Sequence, residues 1–196
     1  MIEVADLDKR TAYRLMTSLI VPRPIAWVGT RSGAGVDNLA PFSFFNGVST
    51  QPALVSVSIA RGRAGRLKDS LVNILETEVL TISIVSTSLL EKMHQTSASY
   101  PPSVSEFEAA GLTPLPAETV AAPRVADALA AMECRLHRAI DLGSVHLVIA
   151  EVLGFHVPVD SLVDGALPVL TLSPVGRLGG SYAALGPEIL LPPPVD

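Results

Sequence analysis

A single cysteine, Cys134, stands among the 196 residues, and there are only three lysines. One thiol cannot close a disulfide within the chain, which fits a reducing compartment. Aromatic residues are scarce at 5% and charged residues make up 17%, yet 48% of the chain is hydrophobic. That apolar share is ordinary for a globular protein and excludes disorder as the overall state. No apolar run approaches the roughly 20 residues that a membrane-spanning helix needs. Met1-Ile2-Glu3-Val4-Ala5-Asp6 carries acids where a signal peptide begins basic and apolar. The expectation is a cytoplasmic protein without a membrane partner. A net charge of −5 lacks the basic excess that marks nucleic-acid binders, so no nucleic-acid partner is expected.

Several catalytic signatures are missing as well. No G-x-G-x-x-G and no G-x-x-x-x-G-K-[ST] occurs; Gly33-Ala34-Gly35 lacks the third glycine and falls in a hairpin turn. His94, His137, His146 and His156 form no metal-type spacing with one another or with Cys134, so no metal site is expected. A G-x-S-x-G nucleophile elbow is absent too. The sequence therefore assigns no acid–base or nucleophilic residue.

What the chain does contain is strand signal. One domain, residues 1–190, fits a prior of about one domain per 150 residues, with Leu191-Pro192-Pro193-Pro194-Val195-Asp196 as an extended Pro-rich tail. Strands are predicted over 25–30, 36–42, 53–59, 81–85, 132–140 and 145–157. In the fifth, alternation puts Met132, Cys134, Leu136 and Ile140 on one face and Glu133, Arg135 and His137 on the other. Leu67, Leu71, Ile74 and Leu75 have helical spacing within 66–76. Ser88…Glu91 and Ser103…Glu106 have capping-box spacing, and Gly111 stands where a C-terminal cap belongs. A Pro-rich connection covers 113–124. These elements read as a β-rich α+β domain, a barrel or sandwich with a few short inserted helices, and not as alternating βαβ units.

Two stretches carry chemistry. Pro41-Phe42-Ser43-Phe44-Phe45-Asn46-Gly47-Val48-Ser49-Thr50 places three of the five phenylalanines within four positions, among hydroxyls and an amide. Such a mixture suits the faces and rim of a flat aromatic ligand; it also suits a core strand running into a polar turn. The second, Ser56 to Ser70, leads from a hydroxyl-bearing strand through Arg61, Arg63, Arg66 and Lys68 into a helix, so four of the 14 basic residues lie within eight positions. A helix N-terminus beside Arg and Lys is an anion site in waiting, or else a solvated basic loop. A flat ring with a phosphate tail satisfies both stretches, and flavin mononucleotide (FMN) and pyridoxal phosphate each fit that description.

The chain also resembles the flavin reductase-like family, the FMN-binding split barrels that include flavoredoxin. The likeness runs through Pro22-Arg23-Pro24-Ile25-Ala26-Trp27-Val28, then Gly35 to Asn46, Lys68-Asp69-Ser70 with Asn73, Thr96-Ser97-Ala98 with Tyr100, Glu106-Phe107, Glu133-Cys134, and Gly176-Arg177-Leu178-Gly179-Gly180 with Tyr182. It implies a split β-barrel, a homodimer, and FMN held without a covalent bond. It further implies reduction by NAD(P)H and a partner oxygenase or other electron acceptor. On matching positions, Ser43, Phe44 and Asn46 would lie along the ring, and Ser49 and Thr50 near its polar edge or ribityl chain. Ser58, Arg63, Lys68 and Ser70 would hold the phosphate, with Arg23 and Tyr182 at the rim. Arg23 could equally fix the start of a strand by a salt bridge, and Tyr182 could serve in interfacial packing. Ala183 and Ala184 follow Tyr182 where many relatives carry a second aromatic, a departure from the family pattern that leaves the shape of the substrate side open.

Overall fold

Alternating side chains from Trp27 onward divide between two apolar layers, and this division organises the molecule. In the computed structural model, which describes residues 1–192, Val28, Ile59, Leu80, Ile82, Cys134 and Val148 are buried together in one layer. Trp27, Leu39, Met93, Phe107 and Val125 form the other. The first helix, α1 (Lys9–Leu19), precedes strands β1 (Ala26–Arg31), β2 (Asp37–Phe42), β3 (Phe45–Thr50) and β4 (Ala53–Ala60). Next come α2 (Asp69–Thr77), β5 (Val79–Ile84), α3 (Leu90–Gln95) and α4 (Glu106–Ala109). A small hairpin of β6 (Pro114–Pro116) and β7 (Pro123–Val125) leads to the long pair β8 (Ala131–Asp141) and β9 (Val145–His156). A last hairpin joins β10 (Val175–Arg177) and β11 (Tyr182–Ala184). Seven strands form one antiparallel sheet in the order β2-β1-β5-β8-β9-β4-β3. The architecture is the β-rich one expected, with few short helices. Among the described residues no helix is long and apolar enough to cross a membrane.

The predicted strands and the middle helix are present, with local differences that have physical causes. Helix α2 begins at Asp69 rather than Arg66, because Lys68 is extended (φ −74°, ψ 150°) and serves as the N-cap. Leu71 and Ile74 are buried and Leu67 packs on the core, whereas Leu75 turns outward. Polar Asn46 to Thr50 are paired with β4 as an edge strand, and the Pro-rich connection folds back as β6 and β7. Neither capping box forms: α3 is entered through a 3₁₀ turn over Thr87–Leu89, and Ser105, not Ser103, precedes α4, without a side-chain cap. Gly111 does adopt the left-handed conformation, with φ +59°.

Strict alternation along β8 fails at a register shift between Leu136 and Arg138. Beyond it Ala139, not Ile140, lies opposite the buried Val148, and Ile140 pairs with Leu147 on the other face. One extra residue in a strand reverses the parity of everything after it. Cys134 lies before the shift and is fully buried, as its pattern predicts. Glu133, on the opposite face, is equally buried; its carboxylate accepts from the backbone amides of Glu118 and Thr119, from the Thr119 hydroxyl and from the His156 ring.

Candidate functional site

A cavity of about 300 Å³ opens where three segments meet. Strand β2 contributes Asn38, Ala40 and Pro41, the turn into α2 contributes Gly62 and Arg66 to Ser70, and the segment after α3 contributes Thr96 to Tyr100. The first turn of α2 lines this space; the amides of Leu71 and Val72 donate to the Lys68 carbonyl at 2.9 and 3.0 Å, and those of Asp69 and Ser70, at the helix start, have no carbonyl within the helix to pair with. The Lys68 ammonium stands 5.3 Å from the centre of the Phe42 ring. Although much of the Lys68 side chain is exposed, burial of its ammonium end lowers its pKa below the ordinary lysine value. Among the described residues no carboxylate forms an ion pair with it.

Below the cavity lies a buried polar network. The Ser70 hydroxyl donates to Asn38 Oδ1 at 2.7 Å, and Thr30 Oγ1 donates to the same oxygen at 3.2 Å. The Asn38 amide faces both carboxylate oxygens of Glu106 at 2.8 Å, and the Leu39 backbone amide donates to Glu106 at 2.9 Å. Burial raises the Glu106 pKa, opposed by the hydrogen bonds it accepts from Leu39 and Asn38. This network ties α4, β2 and the first turn of α2 together, so the cavity floor is fixed by groups up to 68 positions apart in sequence. Asn38 and Glu106 escape a search for ligand-type residues because each is engaged with the other. Thr96 is held similarly: it accepts from the Trp27 indole at 2.9 Å and donates to the Met93 carbonyl at 2.8 Å.

The expected site residues fall into four neighbourhoods. Lys68 and Ser70 line the cavity, with the Ser70 proton already given to Asn38. The side chain of Arg63 lies outside the described residues. Two residues beyond the cavity wall at Pro41, Ser43 faces Arg23 Nε at 3.4 Å. The Phe44 ring packs 6.4 Å from Tyr13 of α1 and 5.8 Å from the Arg23 guanidinium. Asn46, Ser49 and Thr50 are exposed along β3. Ser58, half-buried on β4, donates its backbone amide to the Phe44 carbonyl at 2.8 Å.

Arg23 makes no salt bridge among the described residues. It is 3% exposed and donates to the carbonyls of Thr17, Ile20 and Leu178 at 2.7–2.8 Å. The guanidinium thereby satisfies carbonyls at the end of α1, where a cation is favoured. Burial lowers its pKa; Tyr13 opposes that shift and Arg177 adds to it. Tyr182 forms the fourth neighbourhood: its hydroxyl is 3.0 Å from His94 Nδ1 and its ring lies under the Arg177 guanidinium at 4.4 Å. A β-bridge between Arg23 and Arg177 joins this group to that of Ser43 and Phe44.

Together these features offer an anion-compatible cavity, a mutually tilted pair of aromatic rings at Phe44 and Tyr13 and an exposed polar strand edge, without an assembled nucleophile among the described residues. The profile of the Flavin reductase like domain matches residues 16–170. A protein of Aquifex aeolicus is 40% identical over 181 residues, covering 91% of this chain and 92% of its own length. Among solved structures, nitrilotriacetate monooxygenase component B from Bacillus cereus is 37% identical with a TM-score of 0.94, covering 97% of this chain and 98% of that one. The 2-nitrobenzoate 2-nitroreductase NbaA of Pseudomonas fluorescens is 30% identical with a TM-score of 0.90, covering 99% and 96%.

Proposed function

The chain belongs to the flavin reductase-like family of split β-barrels, and from that premise we propose that it is an oxidoreductase that holds FMN and is reduced by NAD(P)H. The observation that carries this reading is the Lys68 cavity, whose cation forms no ion pair with a carboxylate among the described residues and lies beside the first turn of a helix. A terminal phosphate fits that donor set. Bound FMN would supply the redox chemistry, accepting a hydride from the nicotinamide and passing electrons to an acceptor.

The protein's part is to bind and orient. Lys68 and the leading amides of α2 would hold the phosphate, with Ser70 fixing that turn through Asn38. Arg63 and Ser58 are the remaining phosphate-side residues of the proposal. Ser43, Phe44 and Asn46 would follow the ring, with Ser49 and Thr50 at its polar edge and Arg23 and Tyr182 at the rim. Ring-to-ring transfer demands close stacking rather than a general base, so the proposal names no catalytic acid or base.

A second copy of the chain is proposed to cover the exposed Tyr13, Leu15, Met16 and Leu19 of α1 and Val48 of β3. Component B of a monooxygenase among the similar structures supports a partner oxygenase as acceptor, and the nitroreductase supports a direct organic one. We place the protein in the cytoplasm. An anaerobic absorbance titration with FMN and then NADH or NADPH tests the reading. The flavin bands should persist after gel filtration and bleach with at least one donor. A colourless protein refutes flavin binding; bound flavin that neither donor bleaches makes the protein an electron-transfer module.

A further inference from the structure

Arg23 and Arg177 lie next to each other through the backbone, with Arg23 N donating to Arg177 O at 2.9 Å and Arg177 N to Arg23 O at 2.8 Å. Neither forms an ion pair with a carboxylate among the described residues. This is unexpected on a chain of net charge −5, since unpaired like charges in proximity oppose each other. The donors of Arg23 are spent on carbonyls. Those of Arg177 make no side-chain hydrogen bond among the described residues. Its guanidinium is nevertheless held in place, 4.4 Å above the Tyr182 ring, which is itself fixed by His94 at 3.0 Å and packed edge-on against that imidazole at 5.9 Å. A guanidinium held over a ring by cation–π attraction, with no side-chain hydrogen bond among the described residues, keeps its N–H fork for a ligand, and such a fork takes two oxygens of a phosphate or carboxylate.

We propose that Arg177, held over the Tyr182 ring that His94 in turn fixes, binds the anionic group of the molecule that exchanges electrons with the flavin. The inference rests on the flavin reading above, because what joins Arg177 to Ser43 and Phe44 is its β-bridge to Arg23, whose guanidinium lies beside both. The ligand chemistry is an oxyanion with two coplanar acceptors. It could be supplied by the diphosphate of a nicotinamide donor or by the carboxylate of an aromatic acceptor.

Calorimetric titration of the wild-type protein and of Arg177→Ala with ADP-ribose, with benzoate and with FMN tests the inference. A lost charge-assisted contact corresponds to about ten- to a hundredfold weaker binding. We expect that loss for ADP-ribose if the donor is the source and for benzoate if the acceptor is, with FMN affinity changed less than twofold. Arg177→Lys should restore part of the loss. Turnover with the neutral donor 1-benzyl-1,4-dihydronicotinamide should keep its KM in Arg177→Ala, which a general structural defect would not allow. Equal binding of both anions by wild type and variant, failure of the wild type to bind either, or a parallel loss of FMN overturns the assignment. Wild-type protein that binds ADP-ribose but no FMN would sink the flavin reading and leave the anion site standing.

Discussion

Replacing Lys68 with alanine separates phosphate recognition from everything else the flavin would contact. The ammonium pairs with no carboxylate among the described residues, and its position over Phe42 contributes only about 0.5–1 kcal/mol where exposed. The protein without ligand should therefore lose little stability, and its thermal midpoint should stay near the wild-type value. A charge-assisted contact to phosphate is worth about 1.5–3 kcal/mol, so Lys68→Ala should bind FMN about ten- to a hundredfold more weakly. Riboflavin has the same ring and no phosphate, and its affinity should change little. Fluorescence titration with both ligands gives the ratio directly. The lowered pKa of Lys68, caused by burial of its ammonium, adds a direction in pH. Affinity for FMN should fall as the solution is made alkaline, beginning below the ordinary lysine value of 10.5, while Lys68→Ala should not share that fall. Equal losses of FMN and riboflavin would refute the assignment.

Other expectations follow from buried groups. Glu133 is desolvated, but hydrogen bonds from His156, Thr119 and the amides of Glu118 and Thr119 outweigh that cost and lower its pKa from 4.5 to about 2. A carboxylate whose pKa drops on folding stabilises the fold above its unfolded value. About 3 kcal/mol should thus be present above pH 4.5 and vanish as pH falls toward 2. Urea melts of wild type and Glu133→Gln across that range should converge at the acid end; a constant gap would contradict the account. Gly29 sits where the Pro123 carbonyl and the Thr81 hydroxyl cross its strand. Gly29→Ala should therefore cost about 1–3 kcal/mol by overpacking, and an unchanged denaturation midpoint would show that the neighbours yield. Burial, with help from Glu133, raises the Cys134 thiol pKa to about 12. The folded protein should resist thiol reagents at neutral pH until denaturant is added, and prompt labelling would place that side chain elsewhere.

Local pattern reached far into this structure. Alternation along 53–59 and helical spacing through Leu71 and Ile74 follow from backbone geometry that repeats every two or 3.6 residues. Any segment displays that geometry in its own composition. The basic approach to Lys68 was equally legible, because charge and glycine content are local. Helix α1 has a local signal too, with Ala12, Leu15, Met16 and Leu19 at helical spacing behind the Asp8 N-cap, yet it was not among the predicted elements, and its apolar side chains Tyr13, Leu15, Met16 and Leu19 are exposed in the fold. The parity reversal beyond Leu136 came from one unpaired residue, which no composition announces.

By itself the sequence determined six of the strand segments, which loop carries cations, and which family the chain resembles. Only the tertiary structure decided which polar groups remain available to a ligand. Asn38 spends its amide on Glu106 across 68 positions, Arg23 spends its guanidinium partly on Leu178 across 155, and the Arg177 guanidinium makes no hydrogen bond among the described residues. A hydrogen-bond partner is chosen by distance and angle after the chain has folded. Residues far apart in sequence compete for that choice, and no local window contains them both.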